Sequence, residues 1–419
     1  MVKVRPFKAL RPAPTIAARV SCLPYDVMNS AEAAAMANGD EVSLLNITRA
    51  EICCPQGTDI HSDTVYAKAK ENFEKAKQNG WLTQDETPCY YVYEEVMDGR
   101  SQSGIVAAAA CKDYEDGLIK KHELTRPDKE EDRMVLTRWL NANIEPVFLA
   151  YKAVPELDAI VANAQRSTPV YDFTSPDGVV HRLWVISAAD TVAEIERLFA
   201  QKVEATYVAD GHHRTAAAAR IGKEFAANNP NHTGRENYNF FMAVIFPDSQ
   251  LHIMDYNRLV KDLNGLSDDD FLARLANVMT VEKIGPDQYT PSRLHEFSMY
   301  FRNEWYKLTA KEGTYNDSDP VGVLDVSVLT DNVLTPILGI EDMRRSPRID
   351  FVGGIRGLGE LKRRVDNGDA CVAFALYPVS MRQLTDIADT GNIMPPKTTW
   401  FEPKLRSGLF VKLVDNNEE

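Results

Sequence analysis

Cysteine is scarce in this 419-residue chain, and none of the six cysteines shows the C-x-x-C spacing of a metal site. So few cysteines in a long chain predict a reduced, cytoplasmic protein without a disulfide framework. No apolar run approaches the roughly 18 residues that a membrane-spanning helix needs. The segment Met1–Phe7 has no apolar core of the signal-peptide kind, so we expect no secretory signal and no membrane partner.

Three well-known catalytic or nucleotide-binding signatures are also missing. The chain has no G-x-x-x-x-G-K-[ST], no G-x-G-x-x-G after a strand and no G-x-S-x-G. These absences argue against a P-loop, a Rossmann fingerprint and a hydrolase nucleophile elbow. The glycine-rich segment Gly353–Gly359 follows Asp350-Phe351-Val352 without the required spacing, which leaves a nucleotide loop and a tight inter-domain turn as open alternatives.

Positive charge is in deficit, with 47 Lys and Arg against 61 Asp and Glu and a net charge of −14. This balance argues against a nucleic-acid partner, although a local basic pocket for a small anion remains compatible with it. The hydrophobic fraction of 44% is that of a globular protein. The sequence does not decide the oligomeric state, and a homo-oligomer is compatible with it.

Strand and helix patterns alternate along the chain and predict a mixed α/β (α+β) fold. The length predicts two or three domains at about 150 residues each. We place them at 1–155, 156–260 and 261–419. The predicted elements that matter most are the helices 63–78, 128–141, 268–278 and 325–340 and the strands 90–96, 105–110, 147–151, 205–209 and 240–246.

The most informative segment is Asp210-Gly211-His212-His213-Arg214, between an apolar strand and an alanine-rich helix. A strand that turns into a helix presents free backbone N–H groups and the positive end of the helix dipole. Gly211 permits close backbone approach, and Arg214 adds a fork that grips phosphate. The segment predicts a nucleotide phosphate site. Alternatively, Asp210 only caps the helix while the histidines lie on its surface.

A second polar cluster, Lys121-His122-Glu123-Leu124-Thr125, follows an apolar strand and precedes a charged helix that contains Arg133. Working residues commonly lie at strand ends in such sheets. Glu123 is the candidate catalytic base, with His122 as the alternative, and Lys121 and Arg133 are candidates for binding the substrate. The competing interpretation is a solvated charged loop.

The same residues bear on which metal ion the protein could bind. Adjacent residues such as His122 and Glu123, or His212 and His213, suit a zinc site poorly, because neighbours on an extended strand point to opposite faces. Magnesium that arrives with a nucleotide fits better, with Asp210, Glu123 and Asp26 as candidate ligands. We therefore expect no tightly bound transition metal.

A proline-rich segment near the end, Pro395-Pro396-Lys397-Thr398-Thr399, predicts an ordered strap with Lys397 as a further substrate-binding candidate. Together with the two clusters above, it resembles a bacterial and archaeal family of about this length that is known as a domain of unknown function. The resemblance runs from Arg11-Pro12 through Pro24-Tyr25-Asp26-Val27 to Ser407-Gly408-Leu409.

The segment Asp210–Arg214 is also similar to the phosphate-binding motif of the ParB/sulfiredoxin superfamily, and above all to that of its free serine kinases. The resemblance implies a ParB/sulfiredoxin-like nucleotide-binding core with N- and C-terminal elaborations. It implies that residues Asp210, Gly211, His212, His213 and Arg214 bind nucleotide phosphates. Sulfiredoxin chemistry needs a cysteine in the motif, which this chain lacks.

The function expected from these features is a kinase that uses ATP or ADP with Mg²⁺ to phosphorylate the hydroxyl of serine or a related hydroxy acid. A non-catalytic nucleotide-binding regulator of amino-acid metabolism is the alternative. A metal-dependent phosphohydrolase that uses the histidines is a third, weaker alternative.

Overall fold

A computed structural model describes residues 1–418 and divides the chain into two compact units. Unit 1 comprises residues 1–251 and 403–419, and unit 2 comprises residues 252–402. Both helices and strands occur in each unit, which confirms the mixed α/β class. No helix among the described residues is long and apolar enough to cross a membrane.

The α-helices within residues 1–418 are α1 (Ala17–Val20), α2 (Ser30–Ala37), α3 (Leu45–Thr48), α4 (Asp63–Gln78), α5 (Cys111–Glu115), α6 (Pro127–Leu140), α7 (Pro155–Ala164), α8 (Ala189–Lys202), α9 (His212–Asn228), α10 (Asp268–Val278), α11 (Asp325–Leu329), α12 (Gly357–Asp366) and α13 (Met381–Asp389).

The strands within the same residues are β1 (Val4–Arg5), β2 (Leu10–Arg11), β3 (Thr83–Gln84), β4 (Tyr90–Met97), β5 (Arg100–Ala110), β6 (Ile119–Lys120), β7 (Ala142–Asn143), β8 (Val147–Tyr151), β9 (Tyr171–Thr174), β10 (Val180–Ile186), β11 (Thr206–Asp210), β12 (Phe240–Pro247), β13 (Ile253–Met254), β14 (Tyr256–Val260), β15 (Met279–Gly285), β16 (Glu296–Phe301), β17 (Glu304–Ala310), β18 (Ile349–Gly353), β19 (Val372–Leu376), β20 (Trp400–Phe401) and β21 (Lys412–Leu413).

The main sheet of unit 1 is mixed, with the strand order β6-β11-β8-β12-β5-β4-β10-β9 and β1 added beside β5. The pairs β6–β11 and β8–β12 are parallel, and the other pairs are antiparallel. The central strands β8 and β12 are buried along their whole length, as their continuous apolar sequences require. This sheet is the scaffold from which the polar segments of unit 1 project.

Helices α4, α6 and α9 extend unit 1 beyond the sheet. In α4, Val65, Ala69 and Phe73 recur on one face and join a core with Leu136 of α6. On its other side α6 places Met134 against Ala217 and Ile221 of α9. Helix α9 is therefore held firmly along its length, which fixes the direction of its N-terminus.

The last residues of the chain return to unit 1. Strand β21 pairs with β7, and Val411 forms an antiparallel bridge with Leu10. The expected boundaries after residues 155 and 260 differ from the observed division. The physical reason is strand pairing, because β8 and β5, which precede residue 155, both pair with β12, which follows it.

Unit 2 contains an antiparallel sheet with the order β15-β17-β16-β19-β14-β18. Leu259, Val352 and Leu361 belong to a buried cluster between this sheet and α12. The segment that leads into β20 holds Pro395–Thr399, and β20 pairs with β13. The expected strap is thus an ordered part of unit 2.

Several predicted elements agree with the structure to the residue, including α4, β8 and α10. The expected helix over 325–340 is wrong beyond its first turn. There α11 ends at Leu329, and a π-helical turn follows over Thr330–Leu334. The apolar run in this segment reflects complete burial, which periodicity alone does not distinguish from a long helix.

Candidate functional site

The two polar clusters of the sequence meet because their strands are parallel neighbours. In the β6–β11 pair, Ile119 lies opposite Thr206 and Lys120 lies opposite Tyr207. Both strands therefore end at the same edge of the sheet, and each continues into its polar segment there. The sheet thus brings residues 121–123 close to residues 210–214.

Gly211 forms the turn between β11 and α9. Its φ of +92° lies in the left-handed region, where a side chain would be strained. Gly211 itself is the N-cap of α9, without a side-chain cap hydrogen bond, so Asp210 does not cap the helix. The first N–H groups of α9 thereby remain available to an anion.

Arg214 folds back over this turn. A Cβ atom on Gly211 would lie 3.1 Å from the guanidinium carbon of Arg214. One terminal nitrogen of Arg214 donates to the carbonyl of Pro146, and the other lies 3.5 Å from Asp210. Its Nε has no acceptor within the described part of the chain, although the side chain is buried. A buried charged donor without an acceptor is costly, and a phosphate oxygen would satisfy it.

Asp210 lies between two cations. Its Oδ2 is 3.5 Å from Arg214 and 3.7 Å from the Nζ of Lys404. Burial alone would raise the pKa of Asp210, but Lys404, Arg214 and His212 lower it to about 2. Asp210 is therefore ionised at any physiological pH and holds the two cations at the site. Sequence reasoning missed Lys404 as a site residue.

His122 and His212 pack edge to face, with ring centroids 4.5 Å apart. Burial lowers the pKa of His122 to about 4, although Asp210 and a backbone hydrogen bond with Val208 oppose the shift. Burial, reinforced by His122, also lowers the pKa of His212 well below its usual value. Both imidazoles are neutral near pH 7, so they act as dipolar groups and not as cations.

The carboxylate of Glu123 faces the histidines, with its Oε2 3.8 Å from the Nδ1 of His212. The Glu123 side chain is 39% exposed, so a small molecule can reach it. The structure therefore brings both candidate bases, Glu123 and His122, to the same edge as Gly211 and Arg214.

A second carboxylate, Asp26, acts on the site from the loop after Pro24. Burial alone would lower the pKa of Arg214, but the charges of Asp26, Asp210 and Glu145 raise it. Burial lowers the pKa of His213, and Asp26 opposes that shift as well. The Asp26 side chain is exposed. Asp26 thus adds an accessible negative charge beside Arg214 and His213.

Arg133 is engaged within the protein. It is buried and pairs with Asp132 at 2.6 Å and with Glu145 at 3.3 Å, and its guanidinium lies 3.8 Å from the ring centroid of Tyr25. Glu145 also accepts a hydrogen bond from the Tyr25 backbone N–H at 2.9 Å. Arg133 and Glu145 therefore hold the loop that carries Asp26, and Arg133 has little capacity left for a substrate.

The two remaining sequence candidates lie in different settings. Lys121 is exposed, and its ammonium lies 5.9 Å from the ring centroid of Tyr114. Its charge contributes to the lowered pKa of His212, after burial and the other groups around it. Lys397 belongs to unit 2, where its ammonium lies 5.6 Å from the Tyr256 ring centroid. The cation from the chain's last segment that approaches Asp210 is Lys404.

The donors around Gly211 suit a phosphate group. Besides Arg214 Nε, the Nε2 atoms of His212 and His213 are buried and lack a hydrogen-bond partner among residues 1–418. A phosphate offers enough acceptor oxygens for such a set. Within the described residues no three His, Cys, Asp or Glu side chains are grouped so as to hold a metal ion.

Comparison with protein families identifies what this chain is related to. The model of the family described as protein of unknown function (DUF1015) matches residues 4–327, which is most of the chain. The chain belongs to the DUF1015 family. The resemblance to a family known as a domain of unknown function is thus confirmed over residues 4–327. No relative was found among curated proteins.

Solved structures resemble this DUF1015 member only distantly. A conserved hypothetical protein from Pyrococcus furiosus is 15% identical over 71% of this chain and 94% of its own, with a TM-score of 0.35. A free serine kinase in complex with AMP is 13% identical over 70% of this chain and 88% of its own, with a TM-score of 0.34. SbnI from Staphylococcus aureus, with a C-terminal truncation, is 11% identical over 74% and 87%, with a TM-score of 0.39. The ParB/sulfiredoxin-like core stays a prediction.

Proposed function

We propose that this DUF1015 protein is a nucleotide-dependent kinase that phosphorylates the hydroxyl of a small metabolite, serine or a related hydroxy acid. The observation that carries the proposal is the turn at Gly211. There the N-terminus of α9 and a glycine with φ of +92° lie beside the buried Nε of Arg214, which has no acceptor among residues 1–418. Such a set of donors is suited to the phosphates of a nucleotide.

Phosphoryl transfer requires that negative charge on the phosphates be neutralised. Arg214 and Lys404 supply two cations, which Asp210 holds in place. The neutral imidazoles of His212 and His213 add hydrogen-bonding groups without a net charge. This combination neutralises phosphates and keeps the histidines in one protonation state near pH 7.

The acceptor hydroxyl needs a base as it attacks phosphorus. Glu123 is accessible and lies on the same sheet edge as the phosphate site, so it is the proposed base. His122 is the alternative, but its side chain is buried and less accessible to a hydroxyl than that of Glu123. Lys121 is exposed and precedes His122 and Glu123 in the chain. It is a better candidate than Arg133 to bind a substrate carboxylate, because Arg133 already pairs with Glu145.

A magnesium ion bound to the nucleotide would supply further neutralisation of the phosphates. Its protein ligands would be oxygen atoms, and the carboxylates of Asp26 and Glu123 are the candidates at the site. Asp210 is less suited, because two cations already face it. Asp26 is therefore the proposed magnesium ligand, and Glu123 remains the proposed base.

The serine assignment draws support from the similarity of Asp210–Arg214 to the motif of free serine kinases. The deciding experiment incubates the purified protein with ATP or ADP and a panel of hydroxy acids and amino acids, and follows new phosphate esters by phosphorus NMR. A kinase forms a phosphate ester and consumes nucleotide only when its acceptor is present. Binding of nucleotide without turnover for any acceptor would instead favour the regulator, which uses the same pocket as a sensor.

A further inference from the structure

Arg258 is a fully buried cation in unit 2, and no carboxylate among residues 1–418 pairs with it. It lies in β14, between β18 and β19, with zero exposed surface. One terminal nitrogen donates to the carbonyl of Tyr256, and the other donates to the carbonyl of Pro396 at 3.4 Å. Its Nε has no acceptor among residues 1–418, and its guanidinium lies 5.2 Å from the Phe351 ring centroid.

A buried arginine of this kind differs from the other buried arginines of the protein. Among the described residues, Arg133 pairs with Asp132 and Glu145, Arg214 faces Asp210 and Arg406 pairs with Asp177. Burial lowers the pKa of Arg258 to about 10, with only Tyr256 opposing, so Arg258 still carries its charge near pH 7. An uncompensated buried charge destabilises a fold strongly, so an external anion would relieve a real energetic penalty.

The segment Pro395–Thr399 contacts Arg258 and places a second cation, Lys397, near the same strand. The segment Pro395–Thr399 supplies the Pro396 carbonyl and, next to it, Lys397, which has a left-handed φ of +57°. The Lys397 ammonium lies 5.6 Å from the ring centroid of Tyr256, which in turn packs edge to face on Trp400. Trp400 lies so close to Gly353 that a Cβ there would be 2.7 Å from its ring.

We propose that unit 2 contains a binding site for a phosphate-bearing small molecule, anchored by Arg258, with Lys397 as its second cation. The phosphate would replace the Pro396 carbonyl as acceptor for Arg258 and would satisfy the Nε. Because Arg258 is fully covered, binding requires that Pro395–Thr399 move aside. The hydroxyl of Thr398, which now donates to the Pro395 carbonyl at 2.6 Å, becomes a further donor when it does.

The test uses inorganic phosphate and pyrophosphate as probes on the full-length protein, without nucleotide. Calorimetric titration is carried out on an Arg214→Ala background, in which binding at the unit 1 site is weakened. We expect this protein to bind the probes, and we expect Arg258→Met and Lys397→Met each to weaken binding by roughly tenfold or more. Equal affinity in the Arg258→Met protein, or no binding in the Arg214→Ala protein, would overturn the proposal.

Stability provides a second, independent measurement. In phosphate-free buffer Arg258→Met should raise the midpoint of thermal unfolding, because it removes an unpaired buried charge and leaves an unbranched apolar side chain in its place. Phosphate should raise the midpoint of the Arg214→Ala protein and not that of the double variant with Arg258→Met. An Arg258→Met protein that is less stable than wild type, or that fails to fold, would mean that Arg258 serves the fold alone and would refute the site.

Discussion

The Nζ of Lys404 lies 3.7 Å from the Oδ2 of Asp210, although nearly half the chain separates them in sequence. The contact exists because the last residues of the chain return to unit 1, where β21 pairs with β7. The Lys404 side chain is only 12% exposed, so water screens its charge less than it would at the surface. Lys404 therefore belongs with Asp210 and Arg214 in the electrostatics of the site.

Replacing Lys404 with Met should weaken nucleotide binding and raise the pKa of Asp210. The loss of a charged contact with phosphate is expected to be about 1.5–3 kcal/mol, which is about tenfold or more in affinity. Calorimetric titration with ATP measures it. Lys202→Met is the matched control, since Lys202 pairs with Glu156 at the surface of the same unit. Equal losses in the two variants would contradict a specific role for Lys404.

Arg214→Ala should weaken nucleotide binding by about 1.5–3 kcal/mol, because it removes the buried donor over Gly211. Gly211→Val should abolish binding, since a side chain there would meet the Arg214 guanidinium and be strained at φ of +92°. Arg220→Ala is the control from the same helix, because Arg220 pairs with Glu130 near the surface. Unchanged affinity for ATP and ADP in both site variants, once shown to be folded, would disprove the phosphate site.

Glu123→Gln keeps the shape of the side chain and removes the proposed base. Turnover with the best acceptor should fall by about 10²- to 10⁴-fold while nucleotide affinity stays nearly constant. Asp26→Asn is the informative companion, because a magnesium ligand should change the metal dependence of the reaction. Full turnover by Glu123→Gln would exclude Glu123 as the base, and a parallel loss of affinity would assign it to the metal.

The purified protein should require added Mg²⁺ with its nucleotide and should hold no transition metal after chelation. The reason is that nucleotide phosphates bring Mg²⁺ with them, while zinc needs a compact set of nitrogen or sulfur ligands. Elemental analysis combined with activity assays tests this. One equivalent of zinc or iron that survives chelation, with activity that follows it, would favour the phosphohydrolase.

Stability should fall as the pH drops from about 6.5 towards 4. The pKa of His122 is lowered to about 4 by burial, whereas the unfolded chain takes up that proton near pH 6.5. Below pH 6.5 the unfolded state therefore binds a proton that the folded state does not, and the stabilisation is complete only above pH 6.5. One such histidine contributes about 3 kcal/mol. His181, with a pKa lowered to about 3 by burial and Arg406, acts in the same direction.

Urea denaturation at a series of pH values measures this dependence. His122→Gln should reduce the slope between pH 6.5 and 4, because glutamine takes up no proton, and should leave the slope above pH 7 unchanged. An identical pH dependence in wild type and His122→Gln would show that His122 is not buried in its neutral form.

Local features of the sequence determined many elements and the turn at Gly211. The apolar spacing of Val65, Ala69 and Phe73 fixes α4 as an amphipathic helix, and the continuous apolar run of β8 fixes a buried strand. The turn at Gly211 was predicted because a glycine between a strand and an alanine-rich helix is typical of a turn that permits close backbone approach. These signals are local, so they need no knowledge of what lies across the fold.

Tertiary structure alone decided which charged residues act together. The parallel pairing of β6 with β11 brings Glu123 to the turn at Gly211, and the return of the C-terminal segment places Lys404 beside Asp210. Arg133 and Arg258 are both buried, yet Arg133 is neutralised by two carboxylates and Arg258 by none within residues 1–418. Charge pairing and burial depend on contacts between distant segments, and a linear pattern of residues does not encode those contacts.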